Sequence, residues 1–211
     1  MISLFDQEAE NYDQWFESQR GRRIFEIERD CLKKLVYPRS DWWFEVGVGS
    51  GQFATAFGIP FGLDPSFGML SRARRRGVSA ICGVGEELPC RNDTFDGILM
   101  VATICFVAQP TRIISECRRA LRQNGNLVVG LIPGKSPWGL LYAKKGSEGH
   151  ALYSKSKFYT CREIIEISEG TGFVFERAAS CLLNKPEDEP LAGQAEGVNE
   201  AAGFVAMRFR K

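Results

Sequence analysis

The chain has 211 residues, of which 44% are hydrophobic, and its 27 basic and 26 acidic residues leave a formal net charge of +1. This length suits one domain with a sizeable core, and we expect residues 1–211 to form that single domain. The nearly neutral charge argues against a nucleic-acid partner, and no apolar run approaches the roughly 20 residues that a membrane-spanning helix needs.

The cysteines and the N-terminus indicate a cytoplasmic protein without a bound metal. The chain has seven cysteines, and no two are closer than eight residues, whereas metal sites usually pair cysteines at shorter spacing. Residues 2–10 lack the basic region and long apolar stretch of a signal peptide. We therefore expect reduced thiols, no metal, no membrane and a cytoplasmic location, while the oligomeric state is left open.

Apolar runs alternate with helical patterns along the chain. Residues 19–36 carry Ile24, Ile27, Cys31 and Leu35 at helical spacing, which predicts a helix with one buried face. The predicted strands lie at residues 42–46, 59–63, 78–82, 95–101, 126–132, 173–179 and 203–209. Strands that alternate with helices predict a mostly parallel sheet.

Helix starts between these strands are marked by prolines and by one capping box. Pro65 and Pro110 are each expected in the first turn of a helix, and Thr160 with Glu163 forms a capping box before a run of isoleucines. The arginines within residues 72–76 are expected to form a solvated face of the helix after Pro65.

Residues 45–51 read Glu-Val-Gly-Val-Gly-Ser-Gly between a predicted strand and a short segment, 52–57, that we expect to form one or two helical turns. Glycines let the backbone approach a ligand with positive φ, and the start of a helix offers unpaired N–H groups. Asp64 ends the next predicted strand, where an acid can accept both hydroxyls of a ribose. This order predicts a site for a nucleotide cofactor.

The spacing of the motif favours a cofactor other than NAD. Gly49-x-Gly51-x-x-Ala54 fits the dinucleotide fingerprint, but Asp64 follows Gly49 by 15 residues, where about 20 are expected. Glu45, two residues before the first glycine, would repel a pyrophosphate and could accept a hydrogen bond from an amine. A cofactor with an ammonium, a sulfonium and a ribose but no phosphate suits this loop better.

That cofactor is S-adenosylmethionine, and the chain resembles the class I, Rossmann-like methyltransferases that use it, in the small ubiquinone/menaquinone-biosynthesis-type (methyltransferase type 11) subgroup. Five ordered motifs carry the resemblance, at residues 45–51, 62–66, 83–89, 94–101 and 120–128. It implies a three-layer α/β fold whose mostly parallel, seven-stranded sheet ends in an antiparallel strand.

The resemblance also implies which residues contact the cofactor: Glu45, Gly47, Val48, Gly49, Gly51, Asp64, Pro65, Gly85, Glu86, Val101 and Ala102. One departure concerns the adenine. Val84 stands where many relatives carry an Asp that faces the adenine amine, so Glu86 or backbone groups would have to replace it. Gln109 replaces an Asp often found before Pro110, which we interpret as a difference in helix capping.

Three segments are expected to surround the acceptor. The N-terminal segment, residues 1–36, is expected to form a lid at residues 5–16 and then a helix. Residues 133–158 and 181–202 are predicted to be irregular, the first an aromatic-rich substrate cap and the second mobile. The expected acceptor-lining residues are Tyr12, Trp15, Thr103, Phe106, Trp138 and Tyr142.

The resemblance therefore implies methyl transfer to a small-molecule acceptor whose nucleophilic atom the sequence leaves undetermined. Such transfer mainly requires that the two reacting atoms are aligned and that water is excluded, so no catalytic dyad is expected. Tyr12, Tyr142 and His150 are the candidates for a general base, with Tyr153 beside them. Alternatives are a non-catalytic S-adenosylmethionine-binding module and an NAD-dependent oxidoreductase. The neutral charge disfavours a nucleic-acid methyltransferase.

Overall fold

A computed structural model describes residues 4–37, 40 and 42–211 of the chain. Its strands form one eight-stranded sheet: β1 (Trp43–Val46), β2 (Phe61–Asp64), β3 (Ser79–Cys82), β4 (Phe95–Val101), β5 (Leu121–Leu131), β6 (Val174–Cys181), β7 (Gln194–Glu196) and β8 (Phe204–Arg210). Their order across the sheet is β3-β2-β1-β4-β5-β8-β6-β7. Strands β3, β2, β1, β4 and β5 run parallel, and β8 lies antiparallel between β5 and β6.

The predicted fold class is confirmed, with one strand more than the predicted seven. The additional strand is β7, which pairs with Ala179, Ser180 and Cys181 at the end of β6. Three residues are too few to show an alternating apolar pattern, so no periodicity could have predicted it. Part of the segment 181–202 is therefore paired in the sheet instead of irregular.

Seven α-helices lie within the described residues: α1 (Leu4–Glu17), α2 (Gln19–Leu32), α3 (Gln52–Phe57), α4 (Phe67–Arg75), α5 (Pro110–Ala120), α6 (Pro137–Ser147) and α7 (Cys161–Gly170). Helices α5 and α7 pack on one face of the sheet through residues such as Ile113 and Ile164. Helices α2, α3 and α4 pack on the other through Ile27, Phe53 and Leu70. Over the described ranges, no helix has the length and apolar character needed to cross a membrane.

Strand β4 contributes side chains to the hydrophobic cores on both faces of the sheet. Ile98 and Met100 belong to the core beneath α5, whereas Leu99 and Val101 belong to the core beneath α2. Successive side chains of a strand point to opposite faces, so a strand covered on both sides is apolar throughout. In open sheets of this kind, ligands bind at the carboxyl ends of the parallel strands.

Helix α4 begins two residues later than predicted. The prediction that Pro65 lies in its first turn is wrong, because α4 starts at Phe67 with Ser66 as N-cap. The Ser66 Oγ accepts a hydrogen bond from the Met69 N–H at 3.2 Å. The Asp64 carboxylate accepts the Ser66 N–H at 2.9 Å and so makes a turn between strand and helix. Pro65 lies in that turn.

The arginines of α4 do more than form a solvated face. Arg76 donates two hydrogen bonds of 3.0 Å to Asp13 of α1, and Arg72 Nε lies 3.8 Å from the same carboxylate. Arg74 binds the carbonyl of Ala80 at 2.8 Å. The prediction is therefore wrong for Arg72 and Arg76, which are half-buried and hold the N-terminal helix, whereas Arg74 and Arg75 are exposed.

The segment 133–158 contains helix α6 and is not irregular as predicted. Ser136 caps this helix by accepting the Gly139 N–H at 3.0 Å, and Pro137 occupies its first position. Serine followed by proline is a helix-start signal. The prediction overlooked it because the residues that follow, among them Gly139, include poor helix formers.

Candidate functional site

A cavity of about 520 Å³ lies at the carboxyl ends of the central strands. Val46, Asp64 and Val101, the last residues of β1, β2 and β4, contribute to its floor. Helices α1 and α2 cover it, and α6 with residues 150–158 forms a wall. The volume falls within the roughly 300–1,000 Å³ of small-ligand sites. The cavity lies at the edge of the sheet where the cofactor is expected.

The loop after β1 brings its backbone close to the cavity. Gly47 has a φ of +73°, and a Cβ there would lie 2.2 Å from Thr103 Oγ1. Gly49 has a φ of +51°, and the nearest atom to a Cβ there would be Tyr12 Cε1 at 4.0 Å. Both conformations favour glycine. The lack of a side chain at Gly47 thus leaves room for the side chain of Thr103, while the lack of one at Gly49 leaves space that a ligand can occupy.

Asp64 lines the end of the cavity beside the glycine loop. We call this the cofactor end, because the cofactor is expected there. Its Oδ2 accepts the Gly49 N–H at 3.0 Å, and its Oδ1 accepts the Ser66 N–H at 2.9 Å. Burial raises the pKa of Asp64, and these two backbone hydrogen bonds oppose the shift. Each carboxylate oxygen retains a lone pair, so the side chain can still accept two ribose hydroxyls. The residues present fit S-adenosylmethionine.

Three residues expected to contact the cofactor do not line the cavity. Val48 lies beneath β2, where a Cβ at Gly62 would come within 2.7 Å of it. A Cβ at Gly51 would meet the α4 backbone at 3.0 Å. Glu45 is 2% exposed, and burial raises its pKa well above the ordinary range. Glu45, Val48 and Gly51 therefore support the loop from behind.

The Glu45 carboxyl has one oxygen, Oε2, without a hydrogen-bond partner in the described part of the chain. A buried polar atom without a partner is uncommon and calls for an explanation. A donor supplied by the cofactor or by a bridging water would satisfy it. Contact between Glu45 and the cofactor remains a prediction.

A short 3₁₀ turn, Gly85–Glu87, brings three residues to the cofactor end. Val84, Gly85 and Glu86 all line the cavity. Val84 is 48% exposed, so an apolar surface stands where many relatives carry an Asp. Glu86 is the acidic group beside it that can meet the adenine amine.

Two residues with left-handed backbones also line the cavity. Ala102 follows β4 with a φ of 50°, and Leu182 follows β6 with a φ of 55°. Such a conformation costs about 1–2 kcal/mol for a residue with a Cβ and is concentrated at ligand sites. The Ala102 N–H donates to the Gly130 carbonyl at 2.8 Å, which holds it. Residue type alone does not reveal this strain.

The opposite end of the cavity, which we call the acceptor end, is aromatic. The ring of Tyr142 lies 4.7 Å from that of Tyr153 and 6.1 Å from that of Phe158. His150 lies 4.6 Å from Tyr153. Residues from α1, α6 and the end of β4 complete the lining. All six residues expected to line the acceptor site do line the cavity: Tyr12, Trp15, Thr103, Phe106, Trp138 and Tyr142.

Helix α1 covers the cavity and is bound to neighbouring elements. Phe5 lines the cavity, and its ring lies 5.0 Å from that of Phe106. Asp6 accepts hydrogen bonds from Ser66 Oγ at 2.7 Å and from the Gly68 N–H at 2.9 Å. The segment expected to act as a lid is therefore a helix docked on α4.

The three candidates for a general base line the cavity, but two of them ionise with difficulty. Burial, aided by the charge of Glu28, raises the pKa of Tyr12, and burial also raises the pKa of Tyr142. A neutral phenol donates a hydrogen bond more readily than it accepts a proton. His150 is exposed beside Tyr153.

Glu28 of α2 is an acid of the cavity that the sequence analysis missed. Its side chain lines the cavity, and burial alone raises its pKa to about 8. No hydrogen bond or ion pair joins its carboxylate to another described residue. The signal in the sequence is its position on the apolar face of α2, four residues after Ile24 and next to Ile27.

Comparison with known proteins agrees with this site. Residues 44–129 match the methyltransferase domain family. A structure of an S-adenosylmethionine-dependent methyltransferase from Thermotoga maritima, described as a possible histamine N-methyltransferase, superposes with a TM-score of 0.89. It has 33% sequence identity and covers 99% of this chain and 98% of its own.

Two curated sequences extend the comparison. An uncharacterized protein of Mycobacterium tuberculosis is 38% identical over 97% of this chain and 73% of its own length. The demethylmenaquinone methyltransferase of Symbiobacterium thermophilum is 28% identical over 59% of this chain and 56% of its own length. The ordered motifs, the fold and these relatives agree. The chain belongs to the class I S-adenosylmethionine-dependent methyltransferases, in the methyltransferase type 11 subgroup, and is an enzyme that takes its methyl group from S-adenosylmethionine.

Proposed function

We propose that this methyltransferase acts on a small-molecule acceptor bound at the acceptor end of the cavity. The observation that supports this best is that α1, α2 and α6 supply walls of a cavity whose total volume of about 520 Å³ is typical of small-ligand sites. A macromolecular acceptor would instead need an open edge of the cavity. No membrane, no nucleic acid and a cytoplasmic location remain predictions, as does the single-domain organisation.

We assign the cofactor to the end of the cavity at Asp64. S-adenosylmethionine supplies a methyl group made electrophilic by its positively charged sulfur. The Asp64 carboxylate accepts the ribose hydroxyls, Gly49 leaves room for the cofactor, and Gly85 with Glu86 borders the adenine. The remaining assigned contacts are made by Gly47, Pro65, Val101 and Ala102.

At the acceptor end, the side chains position the acceptor and keep water out. Methyl transfer needs its two reacting atoms in line and close together, and a dry site limits side reactions. Tyr12, Trp15, Thr103, Phe106, Trp138 and Tyr142 supply this enclosure. The residues of α1 and α6 are central to it because both helices cover the cavity.

The relatives support methyl transfer, but their names do not point to a single acceptor. The Thermotoga maritima protein is described as a possible histamine N-methyltransferase, and the Symbiobacterium thermophilum protein methylates demethylmenaquinone according to its name. These names give acceptors of different chemistry. They give no support to a non-catalytic module or to an NAD-dependent oxidoreductase.

A transfer assay with labelled S-adenosylmethionine tests the proposal. The protein is incubated with pooled small amines, phenols, quinols and thiols, or with pooled protein and RNA, and S-adenosylhomocysteine is quantified. We expect label in a small product and S-adenosylhomocysteine in equal amount. Label found only in the macromolecular fraction would contradict the proposal.

A further inference from the structure

We propose that the acceptor is an amine, and that Glu28 and the rings of the acceptor end bind it in its ammonium form. The inference rests on the proposed function, since it names the class of the small-molecule acceptor. Three observations and one chemical argument carry it: the charges that line the cavity, the unpaired carboxylate of Glu28, the rings that line the same cavity, and the need to remove a proton from the acceptor.

The charged residues that line the cavity are all acidic. They are Glu8, Glu28, Asp64 and Glu86, and neither lysine nor arginine occurs among the described residues of the lining. Arg20 lies 5.9 Å from the ring of Trp138, and Lys145 lies 5.6 Å from that of Tyr142, but neither lines the cavity. Such a lining attracts cations and disfavours carboxylates and phosphates.

Glu28 and Glu86 are the acids of this set whose carboxylates have no hydrogen bond or ion pair with another described residue, and Glu28 is the one of the two whose pKa is raised by burial. Glu28 is half-buried, and a carboxylate partly removed from water is destabilised unless it is paired or hydrogen-bonded. The rise of its pKa to about 8 has burial as its cause, with no neighbouring cation to oppose it. A bound ammonium would supply the missing partner and favour the ionised carboxylate.

Aromatic rings line the same cavity as this carboxylate. The charge of Glu28 contributes to the raised pKa values of Tyr12, Tyr142 and Tyr153, which places all three phenols within its electrostatic reach. Tyr142 and Tyr153 are 4.7 Å apart. A cation within about 6 Å of a ring face is attracted by the ring. Rings and carboxylate therefore favour the same ligand, a cation on a small organic body.

Glu28 also accounts for the proton that an ammonium must lose. A nitrogen can accept a methyl group only after one N–H bond breaks and its electron pair stays on nitrogen as the lone pair. The proton moves to a carboxylate oxygen of Glu28, which becomes a neutral carboxyl and later releases the proton to water. An acid with a pKa near neutrality is suited to this exchange.

Binding of matched amine and alcohol probes tests the inference. Calorimetry is performed on the protein saturated with S-adenosylhomocysteine, with 2-phenylethylamine against 2-phenylethanol and hexylamine against hexanol. We expect at least one amine to bind about 10-fold or more tightly than its alcohol, as is typical of hydrogen bonds between charged groups. The substitution Glu28→Gln should remove that preference.

Glu26→Gln is the matched control, because Glu26 belongs to the same helix and pairs with Arg23, 3.8 Å away, outside the cavity. It should retain the preference for amines. If S-adenosylhomocysteine binds but every amine binds no better than its alcohol, or if Glu28→Gln keeps the preference, the amine inference is overturned. Failure of the wild-type protein to bind S-adenosylhomocysteine would instead contradict the proposed function.

Discussion

Asp64 joins the cofactor end of the cavity to the loop that shapes it. One carboxylate oxygen holds the Gly49 N–H and the other holds the Ser66 N–H. The same side chain therefore fixes the glycine loop after β1 and the turn before α4. Asp64 also lines the cavity, so the loop geometry and the proposed recognition of the ribose depend on one residue.

Asp64→Ala should weaken the binding of S-adenosylhomocysteine by about 10- to 150-fold, because hydrogen bonds to a charged acceptor contribute about 1.5–3 kcal/mol. Calorimetry measures this. Asp96→Ala is the control, since Asp96 binds Arg122 at 2.7 Å near the opposite end of β4. Unchanged affinity in a folded Asp64→Ala protein would exclude the ribose assignment.

Gly49→Val should abolish cofactor binding and leave the domain folded. The branched side chain would enter the open space beside Tyr12 and would strain a left-handed backbone. Gly58→Val separates the two effects, because Gly58 has a φ of +64° with nothing within 4 Å of its Cβ position. We expect both variants to lose similar stability in thermal unfolding, while only Gly49→Val loses S-adenosylhomocysteine binding. Equal binding by the two variants would refute the assignment.

Among the elements, α1 matters most for access to the cavity. Its Phe5 and Tyr12 line the cavity, while its Asp13 binds Arg76 and accepts a hydrogen bond from Gln52 Nε2 at 3.2 Å. A helix of this length is marginal in isolation. Its position over the cavity therefore depends on contacts that a ligand can strengthen or that a substitution can remove.

Asp13→Ala should release α1 from α4 and speed amide exchange in residues 5–16 by about 10-fold or more, since bonds between charged groups are lost. Asp30→Ala is the control, because Asp30 pairs with Arg29 and Lys33 on the surface of α2. Saturation with S-adenosylhomocysteine should slow exchange in the wild-type segment. Protection that neither Asp13→Ala nor ligand alters would show that α1 is a fixed structural arm.

The elements that the sequence predicts well are those whose local signals agree with their surroundings. The capping box of Thr160 and Glu163 is present at the start of α7, and Pro110 is at the first position of α5. The start of α4 differs from the prediction because the Asp64 carboxylate binds the Ser66 N–H and Ser66 caps the helix. Both contacts are local, but several local signals compete within residues 64–66, and the prediction gave most weight to Pro65.

The residues of the candidate site also differ in how far the sequence predicts them. Gly49 and Asp64 could be singled out from the sequence, because alternating glycines after a strand and an acid at the end of the next strand are typical of a cofactor site, and both residues line the cavity. Glu28 could not be, since it is one acid on a helix among many and becomes distinctive only when α1 and α6 enclose it. Val48 and Gly51 share the motif with Gly49, yet the Val48 side chain lies against Gly62 and a Cβ at Gly51 would meet α4, so both lie behind the loop.

For the molecule as a whole, two acids with raised pKa values, one in the cavity and one behind the glycine loop, reduce stability. Burial raises the pKa values of both Glu28 and Glu45. Folded chains with such groups bind protons that unfolded chains release, so the free energy of unfolding falls as the pH rises between the two pKa values. For Glu28 this window runs from its ordinary value of 4.5 to about 8.

Glu28→Gln should therefore stabilise the protein increasingly as the pH rises from about 4.5 to 8. Urea unfolding of both proteins across this range measures the difference. Tyr12, Tyr142 and Tyr153 do not interfere, because their raised pKa values keep them neutral throughout. Glu26→Gln should show no such trend. A constant difference between wild type and Glu28→Gln would mean that Glu28 is solvated in the folded protein.

The most direct test of the account is a calorimetric titration of the wild-type protein with S-adenosylhomocysteine and, separately, with NADH. The cavity, with Asp64 at one end and neither lysine nor arginine among its described lining, predicts one S-adenosylhomocysteine per chain with a Kd in the micromolar range and no binding of NADH at the same concentrations. Binding of NADH without binding of S-adenosylhomocysteine would contradict the account.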